Sequence, residues 1–205
     1  MYISGHPLDD YEFEVKHFSN VELAELDDLS VVSSKSEARV AGIISDVEHR
    51  TSSKGMPYGR FTLEDKSGSF EFALFRDDYI RFKNYLEKDW CILATLKVES
   101  WFSKREQQKV ERLSITNIEL LSTLRDKRIK GIDINVPLHL IDDGLIDKIK
   151  SLSSKYRGKV PVQFNVLENG TRLEMPSRTV KLSLENELLR ELDSLPEIEW
   201  SAKIN

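Results

Sequence analysis

The sequence predicts a five-stranded β barrel followed by a small α+β domain. Three β-rich runs precede a short helical pattern, and two more runs follow it. Beyond residue 123, strand patterns alternate with longer helical ones. A sandwich fold would need about seven strands and no helix among them. The predicted organisation is a connecting segment of short helices and irregular chain at residues 1–36, the barrel at 37–123 and the α+β domain at 124–205.

The barrel prediction rests on the order of its elements. Its five predicted strands cover residues 37–50, 58–65, 69–75, 90–98 and 109–121. Gly42 suggests a bulge or tight bend in the first strand, and the turn at residues 65–68 favours a hairpin between the second and third. A helix at residues 77–87, with Asp77 or Asp78 as its N-cap, precedes the fourth. Three strands, a helix and two strands is the order of an OB-fold.

The second domain is predicted from a change in the spacing of the apolar residues along the chain. Its predicted strands cover residues 132–138, 159–167 and 171–175, and its helices cover residues 142–155 and 185–192. The first helix carries Leu145, Ile146, Ile149 and Leu152 on one side. Asn169-Gly170 is a strong signal for a hairpin between the last two strands.

Composition indicates a folded protein of the cytoplasm. Hydrophobic residues make up 40% and charged residues 32% of the 205 residues. No apolar run approaches the roughly 18 residues that a membrane span needs, and the N-terminus lacks the layout of a signal peptide. The single cysteine, Cys91, lies in an apolar run, which predicts a buried thiol rather than a reactive one.

The net charge of −5 would ordinarily argue against nucleic acid as a partner, but the charge is unevenly distributed. Residues 1–36 hold eight acidic and two basic side chains, whereas residues 37–120 hold fourteen of each. The acidity therefore belongs to the connecting segment. The stretch from His49 to Leu63 contains no acid, so a local basic patch is compatible with the acidic total.

Motifs for catalysis and metal binding are missing from the sequence. The four histidines have no metal-ligand spacing, and no nucleophile elbow, Walker loop or dinucleotide fingerprint occurs. We therefore predict no catalytic residue, metal site or cofactor. A small nuclease built from Asp77, Asp78 and His49 is the enzyme alternative, although adjacent aspartates do not converge by themselves.

The predicted barrel offers a surface for single-stranded nucleic acid. In an OB-fold the ligand crosses the second and third strands between two flanking loops. Strand alternation leaves Tyr58, Arg60 and Phe75 on the face away from the core. The flanking loops add bases and aromatics, which are Arg50 and Lys54 in the first and Trp101, Phe102, Lys104, Arg105 and Lys109 around the second. Aromatic and cationic side chains together are what base stacking and phosphate binding require.

Alternatives remain open for this surface. Trp101 and Phe102 could fold back on the end of the barrel, and the face that carries Phe75 could contact protein instead. A third alternative is the anticodon-binding OB domain of an aminoacyl-tRNA synthetase, for whose large catalytic domain this chain has no room.

Several motifs resemble the alpha subunit of bacterial DNA polymerase III. The motifs, in order, are Ser4-Gly5-His6-Pro7-Leu8-Asp9-Asp10-Tyr11, Val40-Ala41-Gly42-Ile43-Ile44, Lys54-Gly55, Phe61-Thr62-Leu63-Glu64-Asp65-Lys66-Ser67-Gly68, Leu74-Phe75, Leu86-Glu87-Lys88-Asp89 and Ile198-Glu199-Trp200. The resemblance covers nearly the whole chain, and the first motif is the most specific.

The resemblance implies a non-catalytic C-terminal part of a larger polypeptide. The family's catalytic aspartates and its sliding-clamp motif would lie upstream. What the family then implies is an OB domain that binds single-stranded template and a terminal domain that docks the tau subunit of the clamp loader. The other domains of the alpha subunit would be further partners. Residues 1–36, acidic with scattered apolar positions, would be expected to pack on those absent domains.

Overall fold

A five-stranded antiparallel sheet forms the first part of the fold. The computed structural model describes residues 6–103 and 107–204. The strands are Ala38–Thr51 (β1), Pro57–Glu64 (β2), Ser69–Phe75 (β3), Cys91–Ser103 (β4) and Gln108–Leu120 (β5). Their order in the sheet is β3-β2-β1-β4-β5. The long first strand pairs with β4 through its first half and with β2 through its second, which leaves β3 and β5 at the two edges.

Four helices belong to or adjoin this part of the chain, and they are Glu12–Phe18 (α1), Leu29–Ser34 (α2), Arg76–Phe82 (α3) and Leu121–Arg128 (α4). Three 3-10 turns accompany them at Pro7–Tyr11, Leu23–Glu25 and Lys83–Tyr85. The chain divides into two units, Met1–Leu124 and Arg125–Asn205. Strand alternation fills the core of the first unit, because Phe61 and Leu63 of β2 face inward together with Phe72 and Leu74 of β3.

Three local predictions need correction. Residues 100–108 are not one loop, because β4 continues to Ser103 and pairs with β5 from Gln108, so Trp101 and Phe102 are strand residues. Aromatic side chains favour extended backbone, which explains the extension. The pairing shift in β1 falls between Ile44 and Asp46 rather than at Gly42. Asp77 and Asp78 lie in the first turn of α3, whose N-cap is Phe75.

The connecting segment packs on the sheet of its own chain, whereas we expected it to pack on other domains. Its apolar residues enter the same core as the sheet, and these are Val21, Leu23, Leu26 and Val32. The Asn20 amide donates to the Glu37 carbonyl oxygen at 2.9 Å, and the Asn20 side-chain oxygen accepts from the Arg39 N–H at 2.8 Å. The apolar residues of this segment are irregularly spaced. This spacing fits a segment of short helices and turns that covers the sheet, because no single long helix is needed to bury them.

The second unit is a four-stranded mixed sheet with two main helices. Its strands are Ile129–Pro137 (β6), Arg157–Glu168 (β7), Thr171–Leu182 (β8) and Glu199–Ile204 (β9), and its helices are Asp143–Lys155 (α5) and Asn186–Asp193 (α6), with a 3-10 turn at Leu138–Leu140. The sheet order is β8-β7-β6-β9, with β6 and β7 parallel and joined through α5. The last strand and α4 were not predicted from the sequence.

No helix in the described part of the chain combines the length and apolar character that a bilayer crossing requires.

Candidate nucleic-acid interface

A groove runs between the edge strands β3 and β5 of the first unit. Its volume is about 1280 Å³, and it is lined by both strands, by the β1–β2 loop and by Leu26, Asp27 and Leu29 of the connecting segment. The sheet is open there, because the edge strands β3 and β5 are not neighbours in its strand order. It therefore exposes the edges and outer surfaces that an OB-fold offers to a ligand.

One row of predicted residues crosses three adjacent strands. Arg50 of β1 pairs with Tyr58 of β2, and Tyr58 pairs with Phe75 of β3. The Tyr58 and Phe75 rings are stacked, with centroids 5.7 Å apart and planes inclined by 22°. Phe75 is 48% exposed at the end of β3. The row therefore presents an aromatic surface with a guanidinium at one end.

The arginines of this face have acidic neighbours. Arg60 lies in the next row and approaches Glu71 of β3, with Nη1 3.6 Å from Oε1. Arg50 forms a closer ion pair with Glu48, at 2.8 Å. Both ion pairs are exposed to solvent, so each contributes little free energy. Replacement of either carboxylate by a phosphate therefore loses little stability.

The β1–β2 loop brings Lys54 to the groove. The loop is closed by hydrogen bonds from the Gly55 N–H to the Ser52 carbonyl oxygen and from the Ser52 N–H to the Met56 carbonyl oxygen, each at 2.9 Å. Lys54 is exposed. Its ammonium group can therefore bind a phosphate of the ligand without first breaking a buried contact.

The β4–β5 hairpin supplies a second aromatic and cationic pair. The Arg112 guanidinium lies over the Trp101 ring, 5.3 Å from its centroid. Arg112 also contacts Glu99 at 3.2 Å, and hydrogen bonds from Lys97 and Arg112 lower the pKa of the Glu99 carboxyl. Trp101 is 44% exposed, so it does not fold back into the end of the barrel. Its outer surface is available for stacking.

The remaining predicted residues of this hairpin are only partly described. Lys104 and Arg105 lie outside the described residues. Phe102 and Lys109 are paired with each other across β4 and β5, and their side chains lie outside the described part. Their proposed roles remain predictions.

The groove has balanced charge. Four basic side chains line it, which are Lys54, Arg60, Arg76 and Arg112, and five acidic ones accompany them, which are Asp27, Glu71, Asp77, Asp78 and Glu111. A groove without a strong positive field cannot attract nucleic acid from a distance. Any affinity must come chiefly from contacts made within the groove.

Sequence reasoning missed Arg112 and Arg76. Arg112 could have been found from alternation in β5, because Leu113 and Ile115 face inward and Arg112 and Ser114 therefore face outward. Arg76 had no such signal. Its backbone is left-handed, with φ of 52°, which is uncommon for a residue with a side chain and is not readable from the sequence.

The enzyme alternative gains no support from the arrangement of its residues. The Nδ1 atom of His49 lies 3.0 Å from the hydroxyl oxygen of Tyr79. Among the described residues, no three histidine, cysteine, aspartate or glutamate side chains come together as a metal site would require.

Comparison with known proteins agrees with this architecture. Residues 38–121 match a family described as an OB-fold nucleic acid binding domain, and residues 132–205 match the C-terminal domain of the DNA polymerase III alpha subunit. The chain is 28% identical over 199 residues to the DNA polymerase III subunit alpha of Saccharopolyspora erythraea, covering 95% of this chain and 16% of that protein. The subunit of Pseudomonas aeruginosa is 26% identical over 162 residues, covering 79% of this chain and 13% of its own length.

The DNA polymerase III subunit alpha of Escherichia coli K12 is a further relative. It is 25% identical over 197 residues, and the match covers 95% of this chain and 16% of the length of that protein. Among solved structures, the mitochondrial single-stranded DNA binding protein of S. cerevisiae superposes on 42% of this chain and 95% of its own, with 15% identity and a TM-score of 0.30.

The fold and the groove define an OB-fold domain followed by a separate α+β domain. The chain is similar to the alpha subunits of bacterial DNA polymerase III over most of its length, and residues 132–205 match their C-terminal domain, which confirms the resemblance noted in its motifs. It spans only 13–16% of the length of these relatives.

Proposed function

We propose that the OB domain binds single-stranded template DNA along the groove between β3 and β5. The observation that carries the proposal is that aromatic and cationic groups meet at two places along this groove. Tyr58 and Phe75 line it with Arg50 beside them, and Arg112 lines it with the Trp101 ring beneath. Bases would stack on the exposed rings, and phosphates would replace the acidic neighbours of the arginines.

The second part of the proposal concerns the C-terminal domain, which would dock the tau subunit of the clamp loader. The remaining domains of the alpha subunit would be the other partners. The chain itself would be non-catalytic, without a metal or cofactor of its own, and would act in the cytoplasm. Support comes from the match of residues 132–205 to the C-terminal domain of the alpha subunit.

Binding of DNA should be weak and dependent on salt. The balanced charge of the groove predicts a Kd of about 10⁻⁶ M or weaker, the range of non-specific binding. The measurement is fluorescence anisotropy of a labelled oligothymidine at low salt. A logarithmic plot of affinity against salt should fall with a slope of about −0.7 for each phosphate contacted. Absence of binding at low salt would refute the proposal.

The test of the site is a matched pair of tryptophan variants. Trp101→Ala should weaken binding by about 1–3 kcal/mol, a factor of about 5 to 150, because one stacked base loses its partner. Trp90→Ala is the control, since Trp90 is also exposed, at 37%. Neither ring lines the groove itself, but Trp101 lies beneath Arg112, which does. Equal losses in the two variants would show that the groove is not the binding site.

The balanced charge also favours a second candidate, in which the same face contacts another protein domain. Such a contact would use Tyr58 and Phe75 without requiring phosphates. A Phe75→Ala variant that retains full DNA affinity but loses capture of the other alpha-subunit domains would favour this alternative.

A further inference from the structure

The C-terminal unit contains an apolar groove on the surface of its sheet, beside α5. It is bounded by α5 on one side and by β7 and β8 on the other, with a cavity volume of about 550 Å³. Ile146 and Ile149 of α5 and Phe164 and Met175 of the sheet line it. α5 therefore has more apolar surface than it buries against its own sheet. Leu145 and Leu152 are buried, whereas Ile146 is 38% exposed.

The rim of this groove is basic. Lys150, Arg157 and Lys181 line it, and none of the described acidic side chains does. Lys150 makes an exposed pair with Asp147 at 3.3 Å, whereas Arg157 and Lys181 form no ion pair within the part of the chain that the structure describes. An apolar floor between cations is complementary to an apolar surface flanked by acids.

The edge strand of this sheet is unsuited to pairing with an extended peptide. β8 is the edge strand, but Pro176 lacks an N–H, and the pairing with β7 shifts between Gln163 and Pro161. Within the same stretch, the Val180 N–H is bonded to the Ser177 hydroxyl oxygen at 2.9 Å. A strand added here would meet an interrupted row of donors and acceptors.

We propose that this groove binds an amphipathic helix of a partner protein, about three or four turns long, with acidic residues beside its apolar stripe. Lying along α5, whose thirteen residues extend about 20 Å, such a helix would continue the helical layer over β7 and β8. Its acids would meet Arg157 and Lys181, and Met175 would adapt to its side chains. The inference deepens the partner-docking half of the proposed function and rests on it for the role of the groove.

The experiment uses the full chain and two synthetic helical peptides of about fourteen residues. One has leucines at helical spacing flanked by glutamates, and the other has lysines in place of the glutamates. Anisotropy titration should show that the acidic peptide binds and that the basic peptide binds at least tenfold more weakly. Failure of the acidic peptide to bind, or equal binding of the two, overturns the inference.

Two variants locate the site. Ile146→Glu should reduce binding of the acidic peptide about tenfold or more, since it places a carboxylate on the groove floor. Ile80→Glu is the matched control, because Ile80 is an exposed helical isoleucine in the other unit. Lys181→Glu should also weaken binding, whereas Lys130→Glu, on an exposed position of β6, should not. Unchanged binding in Ile146→Glu, with a circular dichroism spectrum like that of the wild type, overturns the inference.

The purified tau subunit provides an independent arm. If tau binds the wild-type chain and the acidic peptide displaces it, both proposals gain support. If tau does not bind, the docking part of the proposed function fails while the peptide result still decides the groove. If tau binds equally to Ile146→Glu, tau docks elsewhere and the groove loses its proposed role.

Discussion

Gly42 shows how a missing side chain can determine the packing of two strands. A Cβ atom at this position would lie 2.5 Å from Cγ of Leu63 and 2.9 Å from the carbonyl oxygen of Glu64. Leu63 is fully buried, so it has no free space to move into. The sequence pattern marked Gly42 as special, but the reason is close approach rather than a bulge.

We expect Gly42→Ala to lower the free energy of unfolding by about 1–3 kcal/mol, because the added methyl group overpacks the core. Urea unfolding of the full chain measures the change. Gly68→Ala is the control, since the nearest atom to its Cβ would be Cβ of Ala24 at an ordinary 3.8 Å. Equal stability of Gly42→Ala and the wild type would contradict the packing described.

Cys91 should react slowly in the folded protein. Burial is the main cause that raises the pKa of its thiol from 9.0 to about 11, and Asp10 and Asp89 add to it. At pH 8 the thiolate is rarer by about a hundredfold than in the unfolded chain, and the higher intrinsic nucleophilicity recovers part of this. Alkylation by iodoacetamide should be at least about tenfold slower in buffer than in urea. Comparable rates would show that the thiol is accessible.

The same shift has a consequence for stability at high pH. Folding keeps the Cys91 thiol protonated, so its contribution to stability is complete below pH 9 and is lost as the pH rises from 9.0 towards about 11. A Cys91→Ser variant should lack this component of the alkaline decline.

At the scale of elements, the β7–β8 hairpin depends on a two-residue turn. Asn169 and Gly170 both have positive φ, 48° and 79°, as the sequence signal requires. Gly170→Ala should cost about 1–2 kcal/mol, because a residue with Cβ is strained in the left-handed region. Gly131→Ala is the control, since its Cβ would meet nothing closer than the Pro161 carbonyl oxygen at 3.4 Å. Urea unfolding compares them, and equal stability of the two variants would exclude a strained turn.

Elements with a clear period could be predicted from the sequence. The inward and outward faces of β2 and β3 follow simple alternation, and Asp142 caps α5 by accepting from the Leu145 N–H at 2.7 Å, as an aspartate at that position suggests. β9 was missed because its tail mixes polar and apolar residues, and it is specified by pairing with β6 rather than by its own pattern.

The candidate site was predictable to the same limited extent. Tyr58, Arg60 and Phe75 lie on the same face of β2 and β3, which alternation along each strand predicted. The acidic partner Glu71 lies on β3, across from Arg60, and was not anticipated, because cross-strand neighbours depend on a register that the sequence does not specify alone. Glu48 lies two residues before Arg50 on the same face of β1, so strand alternation could have found it. The balanced charge of the groove is the result.

At the scale of the whole molecule, the connecting segment is part of the folding unit. Four of its side chains lie in the core, each at most 4% exposed, and these are Val21, Leu23, Leu26 and Val32. Burial of each contributes about 1.5–3 kcal/mol before the entropy of ordering the segment is subtracted. A chain that begins at residue 37 should therefore be less stable by several kcal/mol.

Urea unfolding of two truncated chains tests this expectation. A chain that begins at residue 20 keeps all four of these core side chains and should retain more stability than one that begins at residue 37. The shorter chain should also bind DNA more weakly, since Leu26 and Leu29 line the groove. Equal stability of the two truncated chains would mean that the segment contributes nothing to the core.

The cation that covers Trp101 makes this ring an intrinsic optical probe. The chain has three tryptophans, and the Arg112 guanidinium lies over the ring of Trp101. Replacement of Trp90 and Trp200 by phenylalanine would leave a single emitter at the hairpin. Displacement of Arg112 by a stacked base would then change the emission intensity, so occupancy of the groove could be followed in real time on an unlabelled strand.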